Sequence, residues 1–470
     1  MERKTIVPYI SILLVTAASM GISKTGQHIA SGLLLLMGAV FLYIYFFRNT
    51  GSLVNFKGLL VAFFMGGEGI AAFQLSHLQT EWSGVTWLCF MLFMLAFLLG
   101  YDGKEFLDAK RYGGEKLSRV HNSSANDKAV TVEGRLLKAI AAVALVSFAA
   151  FLLEVCILGY VPLFSKDTHA YNYFHVSGVH YFTVTCMMVH ALTLIYWMVR
   201  RKRGGGKLEK KQMALLAVSN GLALSIAILC ISKFQFLLTV ALPLLIYLMM
   251  KKDIRLKRIL AVGGGICVLG AAIMVFMIMR RNYAPGYLNG IFEMKDPSLP
   301  MFIQYPYMYI ANNYANFNCL VQQMTGHTFG LRMAFPVFAL TGLKFLSPFR
   351  EWLSLPVYLT KTELNTLTII YDAYYDFGVP GVFLLGAVLG AVCAFLARKM
   401  REDGNPVIYL FGGQMAMYLV LSFFSTWFSL PTTWFWLAVT VVLYWYVGGT
   451  MGGRLGMKHG RAPERGKRRE

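Results

Sequence analysis

Tyr375-Asp376-Phe377-Gly378-Val379-Pro380-Gly381-Val382-Phe383-Leu384-Leu385-Gly386-Ala387-Val388-Leu389 marks the point where a long polar and aromatic interval gives way to an apolar run. Downstream the run continues to Ala397, long enough as a helix to cross ~30 Å of hydrocarbon. Upstream, residues 280–376 hold no comparable run. Most of the remaining chain repeats the downstream pattern. Twelve spans are predicted, at 5–22, 28–47, 57–76, 82–100, 136–159, 176–199, 212–230, 234–250, 259–279, 377–397, 406–424 and 432–448. The expected fold class is therefore all-α: a polytopic membrane protein of about 12 transmembrane helices with one large extracytoplasmic loop. Composition agrees. Of 470 residues 57% are hydrophobic and 14% charged, more apolar surface than a soluble interior can absorb. The first run, Ile6 to Ile22, follows Glu2-Arg3-Lys4 as a signal peptide would. No small-residue cleavage site and soluble domain come after it, so it reads as the first span.

The formal charge is +21. In a soluble protein this would point to nucleic acid. Here topology explains it, because cytoplasmic loops of membrane proteins collect Lys and Arg. With the N-terminus inside, 34 basic residues fall on the cytoplasmic side and 10 on the other, out of 44. Both termini are expected in the cytoplasm and the loop 280–376 outside. The chain then reads as a single integral membrane domain, 1–470, with a cytoplasmic insert at 101–135 and a basic tail at 453–470. These basic segments suit anchoring to anionic lipid. No GxxxxGK[ST] and no GxGxxG after a strand occurs, so no ATP site is expected. The seven cysteines include no CxxC pair, and only Cys319 lies in the long loop; neither a disulfide staple nor a zinc site is indicated.

The loop is not a polar linker. Met301-Phe302-Ile303-Gln304-Tyr305-Pro306-Tyr307-Met308-Tyr309-Ile310 is aromatic, and Leu331 to Leu346 is apolar with Arg332 and Lys344 set into it. Such segments fit amphipathic or re-entrant helices, forming a lid at the outer interface.

Basic residues are scarce on the outer side, so each is informative. Arg280 and Arg281 end the ninth span, Arg332 lies in the loop, and Lys233 lies in the outer turn Ile231-Ser232-Lys233-Phe234-Gln235. Guanidinium binds phosphate oxygens through paired hydrogen bonds and ammonium binds them as a point charge. The four suit a lipid pyrophosphate; the plainer alternative is interfacial anchoring. Asp372 and Asp376 stand where the loop enters the tenth span. Asp376 is either a helix N-cap or a general base facing a hydroxyl. His327 precedes Arg332 by five residues, a candidate base beside a candidate phosphate ligand. The outer histidines, His77, His169, His175, His180 and His327, lack a metal-ligand spacing, and no metal is assigned. Glu68 and Glu154 lie inside spans, where an ionisable group needs a partner or a task; Lys233 or Arg280 is in range of Glu154. Tyr305, Tyr371 and Tyr375 belong to an aromatic set dense enough to stack on sugars as well as to form an interfacial belt.

Asn365-Thr366-Leu367-Thr368, then Tyr375-Asp376-Phe377-Gly378, then Gly381 opening an apolar helix resemble the loop-to-helix signature of bacterial oligosaccharide repeat unit polymerases. These are the Wzy-type O-antigen and capsular polysaccharide polymerases. The Ser232-Lys233 turn resembles the basic turn of that family, and the long outer loop matches its layout. The likeness covers the topology of the whole chain, with sharp matching confined to these short segments.

The resemblance implies a GT-C-like glycosyltransferase architecture in a bacterial cytoplasmic membrane. It implies a polymerase that joins undecaprenyl-pyrophosphate-linked oligosaccharide repeat units at the outer face, without cofactor or metal, with a chain-length regulator protein as a partner. On that reading Arg280, Arg281, Arg332 and Lys233 hold the pyrophosphate and His327 or Asp376 takes the hydroxyl proton. Tyr371, Tyr375, Tyr305 and Asn365 contact sugar. The alternatives are an O-antigen-ligase-like glycan transferase and a 12-span transporter or flippase of lipid-linked glycans. Against the transporter, the halves are unequal and no repeat relates them.

Overall fold

The computed structural model describes residues 3–112, 125–167, 170–202, 204–251 and 286–448. The expected ninth span, Arg280, Arg281 and the tail 453–470 lie outside the described residues, as does the middle of the insert 101–135. The protein is mostly helical, and no strand forms among the described residues.

Among the described residues seven helices are long and apolar enough to cross a membrane: Ile6–Lys24, His28–Thr50, Gly84–Arg111, Val132–Leu158, Val179–Lys202, Lys210–Cys230 and Tyr371–Glu402. In hydrocarbon a helix is favoured because it satisfies every backbone polar group within the segment. Their outward faces are apolar: Leu14 is 65% exposed, Met37 63% and Leu384 60%. That is the surface of a protein clothed in lipid.

Four further expected spans form shorter or broken helices. At 57–76 the chain makes Phe56–Leu60, a π-helical turn Val61–Met65 and then Gly66–Ala71. The others are Lys233–Met250, Ile408–Val420 and Pro431–Gly448. Of the twelve expected spans, seven are helices of full spanning length among the described residues and the ninth lies outside them.

Two helices set the frame. Gly84–Tyr112 and Tyr371–Glu402 run parallel, with Gly386 against Phe93, Gly390 against Phe97 and Arg398 beside Asp108 at 3.4 Å. A Cβ on Gly390 would stand 2.0 Å from the Phe97 carbonyl oxygen, and one on Gly386 2.7 Å from that of Phe93. Only glycine lets the backbones approach this closely.

Part of the expected lid is buried instead. Met301–Gln323 is one 23-residue helix whose buried side chains include Asn312, Asn313, Asn316 and Asn318. Tyr314 stacks on Trp82 with ring centres 6.3 Å apart and donates to the Phe64 carbonyl at 2.6 Å. Asn318 Oδ1 accepts from the Ser83 amide at 3.0 Å and the Thr86 hydroxyl at 2.7 Å. Asn316 Nδ2 donates to the Leu364 and Thr366 carbonyls at 2.7 and 3.0 Å. These buried amides find partners, as burial requires, and they tie the strap 358–370 to the bundle. Upstream, Ser76 bridges Met294, and the Lys295 amide donates to the Leu75 carbonyl at 2.8 Å.

Candidate functional site

The site is an elbow at the start of the helix Tyr371–Glu402. Gly378 has φ 62° and ψ −148°, which breaks the helix. Glycine reaches that region freely and other residues do not. The Phe377–Gly378 turn expected from the sequence is this break. Before it lie Asp372, Tyr375 and Asp376; after it the long helix descends.

Asp376 is fully buried. Its Oδ1 accepts from the Thr328 hydroxyl and from the Arg332 amide at 3.1 Å, and its Oδ2 from the Met333 amide at 2.8 Å. Its own carbonyl accepts from the Phe329 amide at 3.0 Å. The carboxylate therefore folds the loop 327–333 around itself. It does not cap the descending helix; its oxygens accept three hydrogen bonds from the loop. In the structure Asp376 thus anchors the loop. Within this loop Phe329 has φ 50° and is 82% exposed, and Gly330 has φ 104°.

The anchor places Arg332. Its Nε donates to Asp372 Oδ1 at 2.5 Å. The guanidinium carbon lies 4.6 Å from the Tyr375 ring centre and 5.5 Å from that of Tyr371, a cation–π arrangement on two rings. Burial alone would lower the Arg332 pKa, but the Asp372 carboxylate opposes this and the net direction is upward. The charge is thus secure. Among the described residues Asp372 is the one carboxylate in ion-pair reach, and it engages Nε alone. The Tyr375 hydroxyl also hydrogen-bonds the guanidinium, and the remaining N–H groups are left for an anion, in the geometry that suits phosphate.

His327 rides the same loop. Its Nδ1 lies 3.3 Å from the Tyr375 carbonyl oxygen. A carbonyl only accepts, so Nδ1 carries a hydrogen and, in the neutral ring, Nε2 holds the lone pair. A Cβ on Gly378 would come within 2.8 Å of that Nε2, so the imidazole packs on the elbow.

The expected sugar contacts divide. Tyr371 is buried, and its hydroxyl bridges the amide and the carbonyl of Tyr358, both at 2.9 Å. Tyr375 is buried with Arg332 over its ring. Tyr305 is buried and stacked on Tyr309 at 4.6 Å. These three rings are structural, because their faces are already covered. Asn365 is exposed. Lys233 opens the helix Lys233–Met250; its side chain, like Arg280 and Arg281, lies outside the described residues. The structure therefore joins His327, Arg332 and Asp376 in one centre, to which it adds Asp372 and Thr328.

Of the intramembrane acids, Glu154 pairs with His180 at 3.0 Å; Arg280 and the Lys233 side chain, its expected partners, lie outside the described residues. Glu68 is fully buried, with neither carboxylate oxygen hydrogen-bonded among the described residues.

No protein-family model, curated protein or solved structure matches the chain.

Proposed function

We propose that the chain is a membrane-embedded glycosyltransferase that joins pyrophosphate-linked oligosaccharide repeat units at the outer face of a bacterial cytoplasmic membrane. The observation that carries this is Arg332, a charged guanidinium set on two tyrosine rings, tied by one nitrogen to Asp372 and with its fork otherwise unclaimed by carboxylate. The substrate is an undecaprenyl-pyrophosphate-linked oligosaccharide drawn from the bilayer. A hydroxyl of one unit attacks the anomeric carbon bearing the pyrophosphate of another, and the leaving group departs with increasing negative charge. A fixed cation directed at that charge lowers the barrier more than it tightens ground-state binding.

The finer topology belongs to the same proposal: twelve crossings, GT-C-like architecture and both termini in the cytoplasm. Arg280, Arg281 and Lys233 are proposed as further pyrophosphate ligands and a chain-length regulator as a partner. Asn365 is kept as a sugar contact. His327 stands on the cation's own loop and faces the leaving group.

Purified protein in liposomes with the lipid-linked repeat unit tests the reading. Ladders of longer lipid-linked glycan are expected, and Arg332→Ala is expected to form them far more slowly. Transfer to a different acceptor would identify a ligase. Binding of the lipid without turnover would identify a transporter.

A further inference from the structure

A second cluster of titratable side chains, unused by the elbow, joins the helix Val132–Leu158 to the loop before Val179–Lys202. Glu154 is fully buried. Its carboxylate accepts from the Thr183 hydroxyl at 2.7 Å, the Val176 amide at 3.0 Å and His180 Nδ1 at 3.0 Å. A carboxylate of this kind only accepts, so Nδ1 carries a hydrogen and, in the neutral ring, the lone pair is on Nε2. The His180 side chain keeps 13% of its surface open. The His175 ring stands edge-on at 5.0 Å and Tyr171 at 6.2 Å. Tyr171 accepts from Gln235 Nε2 at 3.2 Å, which ties the cluster to the outer turn that carries Lys233. Among the described residues no three His, Cys, Asp or Glu side chains are grouped as metal ligands. The grouping is that of a carboxylate-oriented imidazole, with tautomer and ring direction both set.

One contact links the loop beside the cluster to the segment that follows the elbow loop. Lys344, twelve residues after Arg332, donates to Ser177 at 3.3 Å. Tyr181 and Phe182, next to His180, pack on Phe435 at 5.6 and 4.8 Å, at the start of Pro431–Gly448. A direct displacement places the incoming hydroxyl and the departing pyrophosphate on opposite faces of the anomeric carbon. His327 shares a loop with Arg332 and so lies on the departing side. His180 comes from a separate wall.

We propose that His180 Nε2 takes the proton of the acceptor sugar hydroxyl, with Glu154 as its positioning residue; this rests on the glycosyl-transfer reading above. The O–H bond breaks as its proton passes to Nε2, and the oxygen pair forms the new bond to the anomeric carbon. The bond from that carbon to the pyrophosphate oxygen breaks, and its electrons leave with the pyrophosphate, held by Arg332. The imidazolium, stabilised by Glu154, then loses its proton to water.

The test uses full-length protein in liposomes, with polymerisation and undecaprenyl pyrophosphate binding both measured. His180→Ala is expected to lower the rate ~10²–10⁴-fold, the range of a positioned general base, with lipid binding unchanged and activity partly restored by added imidazole. Glu154→Gln keeps the size of the side chain but removes the charge opposite the imidazolium. It is expected to lower kcat with little change in KM. A His180→Ala rate close to wild type overturns the proposal. So does a loss of lipid binding in step with rate, since that marks a structural role. If wild-type protein makes no polymer from the lipid-linked unit, the glycosyl-transfer reading itself has failed, and this outcome is separate from the other two.

Discussion

Arg332 and Lys57 are built alike and placed apart. Each is a cation against a carboxylate and an aromatic ring, and they stand toward opposite ends of the parallel pair Gly84–Tyr112 and Tyr371–Glu402. Lys57 bonds Asp102, lies 3.7 Å from Glu105 and sits 4.4 Å from the Tyr101 ring centre. Tyr9 donates to the second oxygen of Asp102 at 2.8 Å. One positive charge thus meets two carboxylates, and three helices are joined. Arg332 meets one carboxylate, because the oxygens of Asp376 are committed to the loop amides and Thr328. The contrast shows how neighbours decide a role. A lysine whose charge is more than matched is a staple; an arginine with a single carboxylate partner keeps guanidinium N–H groups for a ligand.

The largest effect should separate the two cations by function. Arg332→Ala should reduce polymerisation ~10²–10³-fold, the scale of losing one preorganised donor at a developing charge. Arg332→Lys should recover little, since a point charge cannot replace the fork. Lys57→Met should leave the rate per folded molecule near wild type. Equal losses at both sites, read as product per mole of folded protein, would erase the distinction.

Next comes Asp376→Asn. The amide keeps one acceptor oxygen but turns an NH2 group toward loop donors. About 1–3 kcal/mol of stability should be lost through unpaired buried donors, seen as a lower Tm in detergent with a lower rate. An unchanged Tm would mean that the carboxylate does not hold the loop. Gly378→Ala tests the elbow itself. Its φ of 62° and the 2.8 Å approach to His327 should together reduce stability by about 1–3 kcal/mol, again read from Tm. Smallest is the stability effect of Lys57→Met. The Lys57 side chain is 20% exposed, so solvent screens the pair and a loss of about 1 kcal/mol is expected.

The two ends of the long helices were not equally legible. Apolar length announces a membrane helix directly, and seven of the expected spans are helices of full length. Broken ones such as 57–76 read the same by composition, because a π turn such as Val61–Met65 leaves hydropathy untouched. The Asp-Phe-Gly turn was legible as a turn, since Gly378 is the residue that a positive φ demands. The purpose of Asp376 was not. An acid at a helix start looks like a cap until the chain 44 residues earlier is seen wrapped around it. The same separation hid the Arg332–Asp372 pair. The tyrosines misled because an aromatic residue is equally suited to an interface, a sugar or a core. Tyr371 proved to be core through its two bonds to the Tyr358 backbone. The buried asparagines of Met301–Gln323 gave no apolar signal, and the segment read as a surface lid.

The central claim is that the Arg332 fork holds a lipid pyrophosphate. Equilibrium binding of undecaprenyl pyrophosphate to purified protein in lipid nanodiscs tests it most directly, with Lys57→Met as the control. Wild type and Lys57→Met should bind alike, and Arg332→Ala should bind ~10–100-fold more weakly, the loss of one charge-assisted hydrogen-bonding group. Undiminished binding by Arg332→Ala would contradict the account.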